Sequence, residues 1–410
     1  MSKINKNKLV PRLRFPEFQY SEDWKVKKVG SILVESRILS KKNDPEKRIT
    51  VRLNLRGVEK REYRGTESEN ATTFFVRKKG QFIYGKQNLH KGAFGIIPDE
   101  LDGYESSQDL PAFDFSNDIF PSFFVHYLSQ DTVYPELEKI ATGTGSKRIH
   151  PKDFFNILIP VPFFPEQQKI ASCLSSLDEL IDAESQKLEL YQQHKKGLLQ
   201  NLFPQEGQRV PKLRFPEFKN DGEWEVKSLG EVFKSFSGGT PDTSKKEYYN
   251  GKIPFIRSAE ITKFSTELFL TELGLKNSSA KLVSKGDLLI ALYGANSGDV
   301  AISKIDGAIN QAVLCLQSEF SNEFTYHFLS SKKNSIVSKY VQGGQGNLSG
   351  EIVKSITITF PSKAEQQKIA ACLSSLADLI NAQRQKIELL KQHKKGLLQG
   401  LFPNVNELEI

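Results

Sequence analysis

Two stretches of this chain carry apolar residues at alternating steps of three and four. In the first, Ile170, Leu174, Leu177, Ile181, Leu188, Tyr191, Leu198 and Leu202 share one stripe, interrupted by the polar residues Glu184 and Lys195. The second runs Ile369, Leu373, Leu376, Ile380, Ile387, Leu390, Leu397 and Leu401, interrupted at Gln383 and Lys394. This period is the seam of a coiled coil, and two such stripes in one chain can bury each other. Pro165 suits a helix start, and Phe203-Pro204 and Phe402-Pro403 end both helices because proline cannot continue the hydrogen-bond ladder. About 38 residues at 1.5 Å each reach roughly 57 Å, long enough for a spacer.

The two stripes are copies. The segment from Glu166 to Pro204 (EQQKIASCLSSLDELIDA…) returns from Glu365 to Pro403 (EQQKIAACLSSLADLINA…), roughly three quarters identical. PRLRFPEF at Pro11 to Phe18 likewise returns as PKLRFPEF at Pro211 to Phe218. Each half is therefore an LRFPEF opening, a long block and a helix. The expected division is residues 1–162 and 205–360 as globular domains, with 163–204 and 361–410 as helical regions. Such a duplication implies a pseudo-twofold arrangement, and twofold proteins on DNA meet half-sites whose spacing the protein dictates.

The blocks between the copies look unrelated until their glycines are aligned. Gly80 to Gly92 (GQFIYGKQNLHKG) has the length and glycine ends of Gly286 to Gly298 (GDLLIALYGANSG), and each continues into an apolar run. Both read as strand, exposed loop, strand. A later pair, Gly143–Ile149 and Gly343–Ser349, each precedes a β-branched strand, Ile157–Ile159 and Ile356–Thr359. One scaffold with different loop chemistry is what two readers of different sequences require, since base edges differ in their donor and acceptor patterns.

The candidate DNA contacts follow from that reading. The first loop offers Lys86, Gln87, Asn88, His90 and Lys91, with Arg77 nearby for a phosphate; the second offers Tyr293, Asn296 and Ser297. Gln and Asn pair bidentately with adenine, and Lys with guanine. Further candidates are Thr240 in Ser237-Gly-Gly-Thr-Pro241, Lys245, and Arg257 and Ser258. Arg52, Asn54 and Arg56 are added because the alternating segment Val51–Arg56 would place all three on one strand face. For each residue the plainer alternative is a solvated loop tip or strand face.

The formal net charge of +8 over 410 residues favours a polyanionic partner, because neutralising phosphates releases condensed counterions. No run approaches the apolar length of a membrane span and the N-terminus lacks a secretory signal core, so the expected compartment is the cytoplasm. Three cysteines suit neither a disulfide framework nor a zinc site, and no metal is expected. There is no GxxxxGK[ST] loop, no Asn/Asp-Pro-Pro-aromatic motif and no dinucleotide fingerprint, so no catalytic residue is expected. Two alternatives remain open at this point: a coiled-coil scaffold whose blocks bind proteins, and an enzyme whose residues assemble only in the fold.

Taken together, the duplicated EQQKIA helix starts, the Leu-Phe-Pro ends, the LRFPEF openings with Trp24 and Trp224, and Ser237–Pro241 resemble the specificity subunits of type I restriction-modification systems over essentially the whole chain. The second helix start, Phe360-Pro-Ser-Lys-Ala-Glu365, departs from the first in being less proline-rich. The resemblance implies an α+β fold: two mixed target-recognition domains and an antiparallel coiled coil of two long helices that sets an unread spacer. It also implies double-stranded DNA, modification subunits carrying S-adenosylmethionine, and restriction subunits using ATP and magnesium as partners. On that reading the chain itself binds no cofactor and catalyses nothing.

Overall fold

The computed structural model describes residues 9–403 except 64, 66–72, 144–145 and 342–346, and it resolves two compact units. One unit comprises residues 1–185 with 385–410, the other 186–384. The compact units therefore cut across the linear four-part division. Each takes in half of each long helix, Phe164–Asn201 and Lys363–Leu401.

In the first unit, the central antiparallel sheet runs in the order Leu33–Ser36, Ala112–Phe115, Phe82–Tyr84, Phe94–Ile96. The second unit repeats that order with Lys234–Ser237, Val313–Gln317, Leu288–Ala291 and Val300–Ile302. The third strand of each sheet is an unbroken apolar run, buried on both faces. Beside each sheet lies a two-stranded pair, Lys25–Lys28 with Leu158–Val161 and Glu225–Ser228 with Thr357–Phe360, four residues in register in both. The aligned glycines identified a real duplication.

The units differ in what lies beyond the sheet. The second carries a four-stranded sheet, Phe269–Leu270, Tyr249–Ile256, Gly307–Ile309, Lys281–Val283. In the first, the hairpin Ile49–Val51/Val58–Lys60 and the pair Phe74–Val76/Glu105–Ser107 are joined by a bridge at Arg48 and Glu105. The helix Pro121–Leu128 of the first unit corresponds to a much longer one, Asn322–Val341, in the second.

The seam is apolar in the way its period required. Within the first unit, Asp178 pairs with Lys394 and Glu184 with Lys386, so ascending one helix descends the other and the two run antiparallel. Every stripe position is buried or half-buried, whereas Leu180, Leu190, Leu379 and Leu389, off the stripe, are exposed. Ile170 and Leu174 join a core with Trp24, Phe82, Phe123 and Phe124, and Ile369 and Leu373 join one with Trp224, Ile290, Leu316 and Phe324. Phe402 packs on Phe123 and Tyr127 at 5.4 and 5.7 Å, and Phe203 on Phe324 and Phe328 at 5.3 and 5.5 Å. The Leu-Phe-Pro ends thus anchor the helices in the cores as well as stopping them. No described helix is long and apolar enough to cross a membrane.

Candidate nucleic-acid interface

The repeated motifs are explained by what holds the helix ends. Arg14 of the first LRFPEF places Nε and Nη2 on the two carboxylate oxygens of Glu166 at 2.8 and 2.7 Å, and donates to the Ser21 and Glu22 carbonyls. The indole of Trp24 donates to the same carboxylate at 3.3 Å. Gln167 accepts from the Phe120 amide and donates to the Asp118 and Pro162 carbonyls, while Lys169 pairs with Glu17 at 3.1 Å. Ile170 and Ala171 then enter the core, so every residue of EQQKIA other than Gln168 has a named partner or a core position. The Leu13 amide meets the Gly400 carbonyl at 2.7 Å, satisfying an otherwise open helix C-terminus.

The second unit repeats the clamp except for the indole bond, since the buried Trp224 Nε1 has no hydrogen-bond partner among the described residues. Arg214 grips Glu365 at 2.8 and 2.7 Å, Lys368 pairs with Glu217, and the Leu213 amide bonds the Asn201 carbonyl. LRFPEF therefore fastens the start of one long helix beside the end of the other, in each unit. The departure at Phe360–Glu365 leaves this arrangement intact. Linear motifs gave no sign of this pairing; the signal available was that Arg14/Arg214 and Glu166/Glu365 recur at nearly one offset.

On this frame the first loop, Gly85 to Ala93, closes through the Gly85 amide on the Ala93 carbonyl and the Ala93 amide on the Asn88 carbonyl. Leu89 is fully buried beneath it, Gln87 and Lys91 are exposed, and Lys86, Asn88 and His90 are half-buried. Gly92 sits at φ +73°, where a Cβ would lie 2.9 Å from the Leu55 amide nitrogen, so glycine is required. Burial lowers the pKa of Lys86 and of His90.

Val51–Arg56 is not the expected strand. The strand ends at Val51, and Asn54 and Leu55 adopt left-handed φ of 58° and 59° in the turn to Val58–Lys60. Alternation fails here because the chain reverses, so Arg52, Asn54 and Arg56 share no strand face. The turn nonetheless joins the loop: the Asn54 amide bonds the Lys91 carbonyl at 2.9 Å and the Leu55 amide the Gly92 carbonyl at 3.0 Å. Arg52 is paired with Glu59, which raises its pKa; Arg56 is exposed.

Arg77, expected near a phosphate, lies inside the first unit instead. Its side chain is 2% exposed and donates to Ser106 Oγ at 2.7 Å and to the Ser36 and Leu110 carbonyls at 2.8 and 3.1 Å. Burial brings its pKa down to about 10. A guanidinium so enclosed ties strands together and cannot reach a phosphate.

In the second unit, the loop from Leu292 to Asp299 exposes Tyr293 and leaves Asn296 and Ser297 half-buried. The Ser297 hydroxyl is turned inward onto the Leu292 carbonyl. The Leu348 amide braces Leu292 from one side, and Lys333, paired with Asp299, braces the other; both supports were missed in the sequence. The short turn Ser258–Glu260 packs against Gly294–Asn296, bringing Ser258 to this surface. Arg257 is occupied by Glu260 at 2.9 Å and Glu267 at 2.6 Å, which raises its pKa. Thr240 bonds Gln311, and Lys245 lies over the Tyr248 ring and donates to its hydroxyl. The glycines of Ser237–Pro241 serve close packing, since a Cβ on Gly238 would lie 1.7 Å from the Ile309 carbonyl oxygen. The glycine-rich segments at 143–149 and 343–349 fall partly outside the described residues.

Each unit thus carries a sheet of the same strand order, with an equivalent loop of different polar chemistry, beside its clamped helix ends. The type I restriction modification DNA specificity domain matches twice, over residues 21–191 and 221–392, and the chain belongs to that family. The chain is 28% identical over 290 residues to the putative type I restriction enzyme MjaX specificity subunit of Methanocaldococcus jannaschii, covering 68% of this chain and 66% of the relative. It is 28% identical over 173 residues to the EcoR124I/EcoR124II specificity subunit of Escherichia coli, covering 40% and 43%. The alignments thus span just under two thirds, or less, of these relatives' length. The fold is similar to the S subunit of the type I restriction-modification system from M. genitalium, with a TM-score of 0.65 at 16% identity over 97% of this chain and 100% of that one.

Proposed function

We propose that this chain is the noncatalytic DNA reader of a type I restriction-modification complex, each unit reading one half of a bipartite duplex site. The observation that carries this reading is the pair of sheets with identical strand order whose equivalent loops, Lys86–Lys91 and Tyr293–Ser297, carry different chemistry. A shared scaffold with divergent polar tips suits base-edge discrimination. The net charge of +8 suits phosphate contact.

The clamped antiparallel helices set the unread gap between the half-sites and supply the docking surface for modification subunits. S-adenosylmethionine is held by those subunits, and ATP and magnesium by motor-nuclease subunits. Within the loops, Gln87, Asn88 and Lys91 in one unit and Tyr293 and Asn296 in the other face bases. Lys86, His90, Arg56, Asn54, Ser258 and Thr240 line the same interface, with Arg52, Arg257 and Lys245 shaping it through their own partners. The Ser297 hydroxyl holds the loop's form.

The test is a map of methylated bases in DNA from cells carrying the chain with its modification subunit. Two fixed half-sites at a constant separation support the reading. Methylation of unrelated sequences, or of one continuous site, contradicts it.

A further inference from the structure

The two arginines that close their loops point to a contact that neither sequence motif nor family match assigns. In the second unit Arg257 follows directly on the strand Tyr249–Ile256 and staples the loop that comes next. Its guanidinium reaches Glu260 at 2.9 and 3.1 Å and Glu267 at 2.6 Å, and the Glu267 amide returns to Glu260 at 2.9 Å. The Lys263 amide bonds the Glu260 carbonyl, and the Thr266 hydroxyl the Leu268 carbonyl. Ile261 and Thr266 are buried, at 3% and 8% exposure. At the tip of this fixed loop Phe264 stands 79% exposed, flanked by the exposed polar residues Thr262, Lys263 and Ser265.

A phenylalanine on a loop pinned at its base leaves apolar surface in water that a bound partner would cover. Protein-docking surfaces are contiguous apolar patches, whereas here the chain neighbours of the exposed ring are a lysine and two hydroxyl residues, all exposed. That surrounding suits duplex DNA: a ring against a thymine methyl or wedged at a base step, with a cation beside it for the phosphate. The same turn, through Ser258–Glu260, packs on Gly294–Asn296, so the stapled loop springs from the recognition surface. The first unit has only a looser, surface counterpart. Arg52 directly follows the strand Ile49–Val51 and pairs with Glu59 across a turn that exposes Leu53.

We propose that Phe264 contacts a base or base step of the second unit's half-site and helps to define it, with Arg257, Glu260 and Glu267 as the staple that positions it. This rests on the reading of that unit as a DNA reader.

The experiment is selection of bound sequences from a random duplex library by the chain complexed with its modification subunit, comparing wild type with Phe264→Ser and Phe264→Leu. For Phe264→Ser, discrimination at one or two positions of one half-site should fall about ten-fold, with the other half-site and the gap unchanged. Phe264→Leu should lose less, because it keeps apolar bulk. Unchanged selection by Phe264→Ser overturns the proposal, as does loss of complex formation with sequence preference retained, which would make Phe264 a protein contact. Equal weakening on all sequences also overturns it, since that marks a contact without sequence content. If the wild-type complex selects no two-part site, the reading beneath the proposal fails first, and that outcome is visible without any substitution.

Discussion

Replacing Arg14 with alanine tests whether the LRFPEF opening is a structural clamp. Arg14 and Glu166 have side chains 7% and 1% exposed, joined by two bonds of 2.8 and 2.7 Å. Without the guanidinium, the Glu166 carboxylate is left with the Trp24 indole at 3.3 Å as its side-chain donor while sealed from water. Leaving one partner of a buried pair unpaired costs about 3–5 kcal/mol. For a unit of about 200 residues, where each kcal/mol moves the melting temperature by roughly 2–4 °C, the loss is roughly 6–20 °C. Thermal unfolding followed by calorimetry measures it. Arg214→Ala should show a similar loss, because Arg214 and Glu365 repeat the geometry. Arg14→Met combined with Glu166→Leu should recover much of the deficit, since an apolar pair removes the stranded charge. A shift below about 2 °C for Arg14→Ala, or a double variant as unstable as the summed single variants, would refute the clamp.

Leu174→Ala, at a fully buried seam position, should cost about 2–5 kcal/mol, whereas Leu190→Ala, 64% exposed, should stay within about 0.5 kcal/mol in denaturant unfolding of the chain alone. Arg77→Ala should lose about 2 kcal/mol or more through its abandoned carbonyl and hydroxyl partners, with an unchanged salt slope of DNA binding; a shallower slope would return Arg77 to the phosphate contacts. His126 and His327 bond Ser175 and Ser374 at 3.1 Å, with Asp178 and Lys394 near the first and Lys195 near the second; burial pushes both pKa values down to about 4. The neutral form is favoured on folding, so their contribution is complete above the unfolded pKa near 6.5 and is lost as pH falls towards 4, by up to about 3 kcal/mol each. Urea unfolding at about pH 7, above that window, and at about pH 4.5, near its lower end, should show a smaller pH-dependent loss for His126→Gln/His327→Gln than for wild type; equal losses would exclude the histidines as the source.

The parts legible in the sequence are those governed by local periodicity or local backbone. Ile170 to Leu202 revealed the seam because a helix repeats its face at fixed steps, and Gly80, Gly92, Gly286 and Gly298 revealed the duplicated sheet because all four hold positive φ where other residues are strained. Contacts across the chain were hidden. Arg77 looks like a surface phosphate contact until Ser106 and two distant carbonyls enclose it, and Arg52 and Arg257 look like free DNA contacts until Glu59, Glu260 and Glu267 occupy them. Charge alone does not distinguish an arginine that holds a loop from one that the loop presents. The alternation at Val51–Arg56 misled for a related reason, since two left-handed residues reverse the chain within a pattern that strands share.

The central claim is that two independently replaceable readers share one frame, and an exchange tests it most directly. Residues 20–160 are replaced by the equivalent block of a relative with a different site, keeping both LRFPEF segments and both long helices, and methylated bases are mapped in cells that also carry the modification subunit. The account predicts one half-site changed to that of the donor, the other half-site unchanged and the gap preserved. Both half-sites changing, or neither changing while methylation persists, would contradict it.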